Sequence, residues 1–180
     1  MPHINIGIAA SSSYENKDIA YRFVNSLPFN VNIILGGYWG LMKNVADAAA
    51  ERGLRVIFIM PENAKVYPEP RDEFIIINTG LEYRARSVTL CKSSDVLVSL
   101  GGEAGTIIEI IMGYAMGIPV VVLKGTGLPT DNLEKAFNDY VDRRKTSKIT
   151  YVDSPEKAAL IAIKQGYLKA LKGVEFPIYG

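Results

Sequence analysis

The stretch Leu100-Gly101-Gly102-Glu103-Ala104-Gly105-Thr106-Ile107-Ile108-Glu109 has the residue types of an anion site. Glycines let a ligand reach the backbone, and the free N–H groups of a helix start carry partial positive charge. The Thr106 hydroxyl adds a further donor. The loop is not a Walker A, because no Gly-Lys-Ser/Thr follows, and its spacing is not the dinucleotide Gly-x-Gly-x-x-Gly. Glu109 falls on the first turn of the expected helix, about 5 Å along the axis from Thr106. It stands among Ile107, Ile108, Ile110 and Ile111. A carboxylate in such company needs a reason, since burying one unpaired is costly. Either it complements the helix dipole or it works beside a bound phosphate. The segment Leu81–Ser87 offers cations: Arg84 or Arg86 could reach a phosphate or pair with Glu109. The plain alternative is a solvated helix face.

Two other turns share this character. Ala9-Ala10-Ser11-Ser12-Ser13 combines small residues with hydroxyls. Ser11 and Ser12 either cap a helix or bind a phosphate or base edge. Leu35-Gly36-Gly37-Tyr38-Trp39-Gly40 carries adjacent glycines that permit positive φ and close backbone approach, and the third glycine lets a helix start pack on the sheet. It is a tight turn with or without a ligand. Tyr38 and Trp39 either stack on a base or pack.

The elements that must position these turns are legible as short apolar, β-branched runs alternating with helix-like stretches. Expected strands are Ile4–Ala10, Val31–Leu35, Arg55–Met60, Phe74–Asn78, Val96–Leu100, Pro119–Leu123 and Lys148–Val152. Continuous apolar blocks such as VIFIM and VVVL suit a parallel sheet covered on both faces. Helices are expected at 15–26, 39–52, 82–93, 105–116, 131–144 and 155–171, with Pro61–Arg71 a surface loop. The pattern predicts an α/β fold: a single Rossmann-like domain over 1–180, with a doubly wound, mainly parallel sheet and helices on both faces. Ligands then sit beyond the carboxyl ends of the strands, where the three turns lie.

Composition removes several classes. The 180 residues are 48% apolar and 22% charged, which excludes general disorder. A net charge of +1 gives no field for nonspecific nucleic-acid binding. One cysteine and one histidine cannot make a disulfide or a Cys/His zinc site. No metal and no cofactor are expected. No apolar run reaches the ~18–20 residues of a membrane span, and the N-terminus shows no signal core. The expectation is a cytoplasmic protein without membrane or nucleic-acid partners. Cys91 reads as a packing residue, His3 as a surface residue, and Asp142–Lys145 as a solvated helix end. The closing Lys172–Gly180 either packs on a partner or stays loose.

The order Gly-Gly-x-x-Gly-Leu-Met, arginine helix, Gly-Gly-x-x-Gly-Thr-x-x-Glu resembles the LOG family, the lysine-decarboxylase-like, cytokinin-activating nucleoside 5′-monophosphate phosphoribohydrolases. It looks like a divergent branch related to the DNA-processing protein A Rossmann-like domain. The resemblance covers roughly residues 4–125. Departures are specific. Leu35 stands before Gly36-Gly37 where the family has a third glycine. Gly101 replaces a proline, Glu103 a glycine, and Ser87 the lysine of an Arg-Lys pair. Glu103 either repels a phosphate, points outward, or selects a ligand with hydroxyls in place of charge. The resemblance implies hydrolysis of the N-glycosidic bond of a nucleoside monophosphate, giving free base and ribose 5-phosphate. In that reading Glu109 and Arg86 are catalytic, while Gly101, Gly102, Gly105 and Thr106 bind the phosphate. Gly36, Gly37, Ser11 and Ser12 line the ribose and base. The alternative is a nucleotide sensor or a molybdenum-cofactor carrier without turnover. The helix IIEIIMGYAMG is apolar nearly all round, which implies a second neighbour: either a homodimer partner, as the resemblance also implies, or another helix above it.

Overall fold

The computed structural model describes residues 3–172. The closing stretch 173–180 therefore lies outside the described residues. Seven strands form one all-parallel sheet: β1 Ile4–Ala9, β2 Val31–Leu35, β3 Arg55–Met60, β4 Phe74–Asn78, β5 Val96–Ser99, β6 Val120–Leu123 and β7 Ile149–Val152. Their order is β4-β3-β2-β1-β5-β6-β7. The strand order reverses between β1 and β5, which pair with Ile6 against Val96 and Ile8 against Val98. A crevice opens at that point, because the chain leaves the two strands in opposite directions.

Among the described residues six helices cover the sheet: α1 Lys17–Asn25, α2 Gly40–Glu51, α3 Tyr83–Lys92, α4 Ala104–Ala115, α5 Leu133–Ala136 and α6 Pro155–Lys172. Alternation along each strand divides the core in two. Ile4, Ile6 and Ile8 meet Phe23 of α1, Val45 of α2 and Ala159 of α6 on one face. Ala9, Leu97 and Val120 meet Cys91 of α3, Ile110 and Tyr114 of α4, and Leu133 of α5 on the other. The doubly wound α/β expectation is met, with every strand within one residue of its expected bounds. No helix among the described residues is long and apolar enough to cross a membrane.

Two expectations are corrected. Helix α1 begins at Lys17 rather than 15, because Asn16 caps it by accepting from the Ile19 N–H at 3.0 Å. The helix expected over 131–144 is a 3₁₀ turn, Pro129–Asn132, followed only by the single turn of α5. Phe137 turns extended, its carbonyl accepting from Tyr151 Oη at 2.7 Å, and the Asp139 carbonyl takes the Ile149 N–H at 2.9 Å. Asn138, Asp139 and Asp142 favour such local turns over a helix interior. Asp142–Lys145 is accordingly no helix end: the Asp142 carboxylate accepts from its neighbour Arg144.

Candidate functional site

The three turns converge at the β1/β5 crevice, and backbone bonds lock them together. The Ser11 N–H donates to the Gly101 carbonyl at 2.9 Å, and the Ser11 carbonyl accepts from the Leu41 N–H at 3.0 Å. That second contact requires Gly40, whose φ is +55° and whose absent Cβ would stand 2.6 Å from the Ser11 oxygen. Gly101, at φ +106°, turns the chain from β5 toward α4.

At the start of α4, the N–H groups of Ala104, Gly105 and Thr106 donate to no described residue. Thr106 is 4% exposed, yet its hydroxyl makes no bond within the described residues. It lies against Gly102, where a Cβ would overlap it. Gly102 is in turn clamped by Thr130, which accepts its N–H at 3.1 Å and donates an N–H to its carbonyl at 3.2 Å. Above Gly105, a Cβ would sit 3.1 Å from Arg84 Nη1. The α4 amides and the Thr106 hydroxyl, bonded to no described residue, thus stand at a positive helix end with the exposed Arg84 guanidinium beside Gly105.

The two arginines divide their roles. Arg84 stays exposed over the α4 terminus, whereas Arg86 is buried and ion-paired with Glu109, Nη1 to Oε1 3.2 Å. Its guanidinium fills the space over Gly36, where any side chain would overlap it. The close approach at Gly36 therefore serves Arg86, and Gly37 makes room for the Trp39 ring. Ser87 Oγ donates to the same Glu109 Oε1 at 2.8 Å. Both donors sit on Oε1, leaving Oε2 without a protein partner among the described residues. Arg86 Nε is also buried and unpartnered. Burial pushes the Glu109 carboxyl above its ordinary value, opposed by Arg86, Ser87 and Arg84. Burial likewise lowers Arg86, opposed by Glu109. Glu109 is thus more than a dipole partner: it is a desolvated carboxylate held by one edge.

The remaining expectations separate clearly. Ser11 is buried and does not cap α1, since Asn16 does. Its Oγ accepts from the Ser13 and Tyr14 N–H groups and donates to Glu103 Oε2 at 2.9 Å. Ser12 is exposed and bonds to no described residue. Tyr38 packs edge-on to Phe58 and donates to Asp47 at 2.6 Å. Trp39 instead faces Tyr83, with ring centroids 6.4 Å apart. Cys91 packs beneath the site, its thiol pushed up to about 12 by burial. Thr130 was not legible as part of the site. Its only signal is Gly125-Thr126-Gly127 following β6 at the carboxyl edge. No group of three or more His, Cys, Asp or Glu suited to a metal occurs among the described residues.

Comparison with known proteins agrees with this architecture. Residues 3–159 match the SLOG cluster4 family. An uncharacterised protein of Archaeoglobus fulgidus is 32% identical over 127 residues, 69% of this chain and 82% of that one. The X-ray structure of the structural-genomics target TM1055 is similar at 29% identity and TM-score 0.77, over 91% of this chain and 99% of that chain. The molybdenum cofactor carrier protein of Chlamydomonas reinhardtii shares the fold at 24% identity and TM-score 0.68, over 92% and 99%.

Proposed function

The chain belongs to the SLOG cluster4 family, and on that footing we propose that it binds a nucleoside 5′-monophosphate and hydrolyses its N-glycosidic bond. The observation that carries this reading is the buried Arg86–Glu109 pair, whose Oε2 accepts from no described residue, beside α4 N–H donors that no described residue accepts. The 5′-phosphate takes the N–H groups of Ala104, Gly105 and Thr106, the Thr106 hydroxyl and the Arg84 guanidinium. The ribose then extends toward Glu109 and the Arg86 guanidinium that covers Gly36.

As the bond from C1′ to the base lengthens, positive charge grows on the ribose ring. A fixed, desolvated carboxylate stabilises that charge more than it stabilises the neutral ground state. Glu109 Oε2 also accepts a proton from the attacking water, whose oxygen bonds to C1′, while the base leaves with the glycosidic electron pair and takes up the proton that Glu109 then releases. Arg86 and Ser87 hold Oε1 and thereby aim Oε2. No step calls for a metal. We place a second copy of the chain on the α3/α4 face, where no helix of the described residues covers Ile108.

Incubation with purine and pyrimidine nucleoside monophosphates, followed chromatographically, tests the reading. Base release is expected, and Glu109→Ala should slow it by roughly a thousandfold, the scale of a lost preorganised charge. Binding of a nucleotide without base release, unaffected by Glu109→Ala, would favour the carrier alternative. The Chlamydomonas neighbour is named for molybdenum cofactor carriage, and a phosphate-bearing ligand suits the same cradle. Neither binding nor release would remove both.

A further inference from the structure

Glu103 is the residue whose placement the catalytic reading leaves unused. It occupies the N-cap of α4, but its side chain makes no capping bond. The same chain shows what an N-cap glutamate ordinarily does: Glu82 caps α3, accepting from the N–H groups of Arg84 at 2.9 Å and Ala85 at 2.6 Å. Glu103 instead reaches across the crevice and takes two hydroxyls of the first turn, Ser11 Oγ at 2.9 Å and Ser13 Oγ at 3.3 Å. No cation lies within ion-pair distance of it among the described residues.

Three consequences follow from that choice. The α4 amides stay open for an anion, because the carboxylate does not occupy them. The carboxylate suits hydroxyl donors, since hydroxyls are its only hydrogen-bond donors among the described residues. Two hydroxyl bonds also leave a carboxylate with lone pairs to spare, and Glu103 is only half-buried. An anion cradle next to a hydroxyl-accepting carboxylate matches a ligand carrying a phosphate and free hydroxyls a few ångströms apart. Arg84, over Gly105, offsets the repulsion between Glu103 and that phosphate.

We propose that Glu103 reads the sugar hydroxyls of the ligand, so that the site selects ribose phosphates over their 2-deoxy counterparts. This inference rests on the nucleotide reading above and names its sugar. Without the 2-hydroxyl, a half-buried carboxylate loses a charge-assisted bond and gains nothing in exchange.

Calorimetric titration with ribose 5-phosphate, 2-deoxyribose 5-phosphate and inorganic phosphate tests it without requiring knowledge of the base. The wild-type protein should bind the ribose ester about tenfold or more tightly than the deoxy ester. Glu103→Gln, nearly isosteric, should bring that ratio close to one while inorganic phosphate binds as well or better. Glu103→Ala should repeat the result, and thermal melts of both variants identify any that is not folded. Equal binding of the two sugars by the wild-type protein, or a ratio that survives in both variants, overturns the role of Glu103 and leaves the nucleotide reading intact. Failure of the wild-type protein to bind any of the three probes overturns that reading and this inference with it.

Discussion

Ser87 shows how one side chain sets the character of this site. Its hydroxyl lies 2.8 Å from Glu109 Oε1 and 3.1 Å from the Tyr83 carbonyl, so its one proton has two acceptors. An ionised Glu109 draws that proton; a protonated Glu109 donates to Ser87 and releases it toward Tyr83. The hydroxyl therefore favours the charged form, in company with Arg86 and Arg84, while burial opposes it and wins. Activity that needs the carboxylate is lost as pH falls through a value above the ordinary 4.5. Ser87→Ala removes a charge-assisted bond from the ionised form and only a weaker neutral one from the protonated form, so the acid limb of the pH–rate profile should move to higher pH. Ser87→Thr keeps the hydroxyl and should leave the limb in place; an unmoved limb in Ser87→Ala refutes the role. Stability takes the opposite sign. Because the folded carboxyl is raised, its contribution is fully present below the unfolded value and is lost as pH rises through the folded one. The wild-type melting temperature, relative to Glu109→Gln, should therefore improve on acidification.

At the scale of elements, the site depends on backbones that approach more closely than any side chain allows. Gly36, at the end of β2, touches the guanidinium that α3 inserts across it, 50 residues further along the chain. Gly36→Ala must expel Arg86 from its place on Glu109. Denaturant unfolding should show a loss of roughly 2–4 kcal/mol, between ordinary overpacking and a broken buried pair. A change within a few tenths would mean that Arg86 relocates freely and does not hold Glu109. Such pairings mark the limit of what the chain reveals. The strands were legible because VIFIM and VVVL are long apolar blocks with no helical period, and the Gly-rich turns because glycine recurs at their ends. The partner of Glu109 remained open between Arg84 and Arg86, since both lie at the start of α3 and only the packed geometry turns one inward. The Glu103–Ser11 bond joins residues 92 apart, a separation no local pattern records. The expected helix over 131–144 failed for a related reason. Its apolar spacing is real, but Phe137 and Asp139 give their carbonyls to the β7 region instead.

On the whole molecule, both faces of the sheet carry apolar groups in water. Leu160, Leu168 and Leu171 of α6 are exposed on one face, and the α3/α4 side of the other bears a second set. Ile108 of α4 is 41% exposed and Val88 of α3 37%. On edge strand β4, Ile75 and Ile77 are 42% and 44% exposed and sit beside Ile57 and Ile59, which face the same cluster. Among the described residues no third layer accounts for the apolar circumference of α4, and a second copy remains the occupant that we propose. Magnitudes limit how tightly it binds. Completing the burial of a side chain already more than half covered contributes on the order of 1 kcal/mol, against an association cost of about 4–15 kcal/mol. The four exposed residues alone would not suffice, so half-buried Ile107, Ile111 and Met112 must join the interface. Dimerisation should then be concentration-dependent rather than permanent. Sedimentation across a wide concentration range should show the mass rising toward twice that of the chain. Ile108→Glu, which places a charge where water would be excluded, should hold it at the monomer without lowering the melting temperature of the dilute protein. A wild-type protein that stays monomeric at the highest concentration, or an Ile108→Glu variant that dimerises equally well, would show that this face meets something other than its own copy.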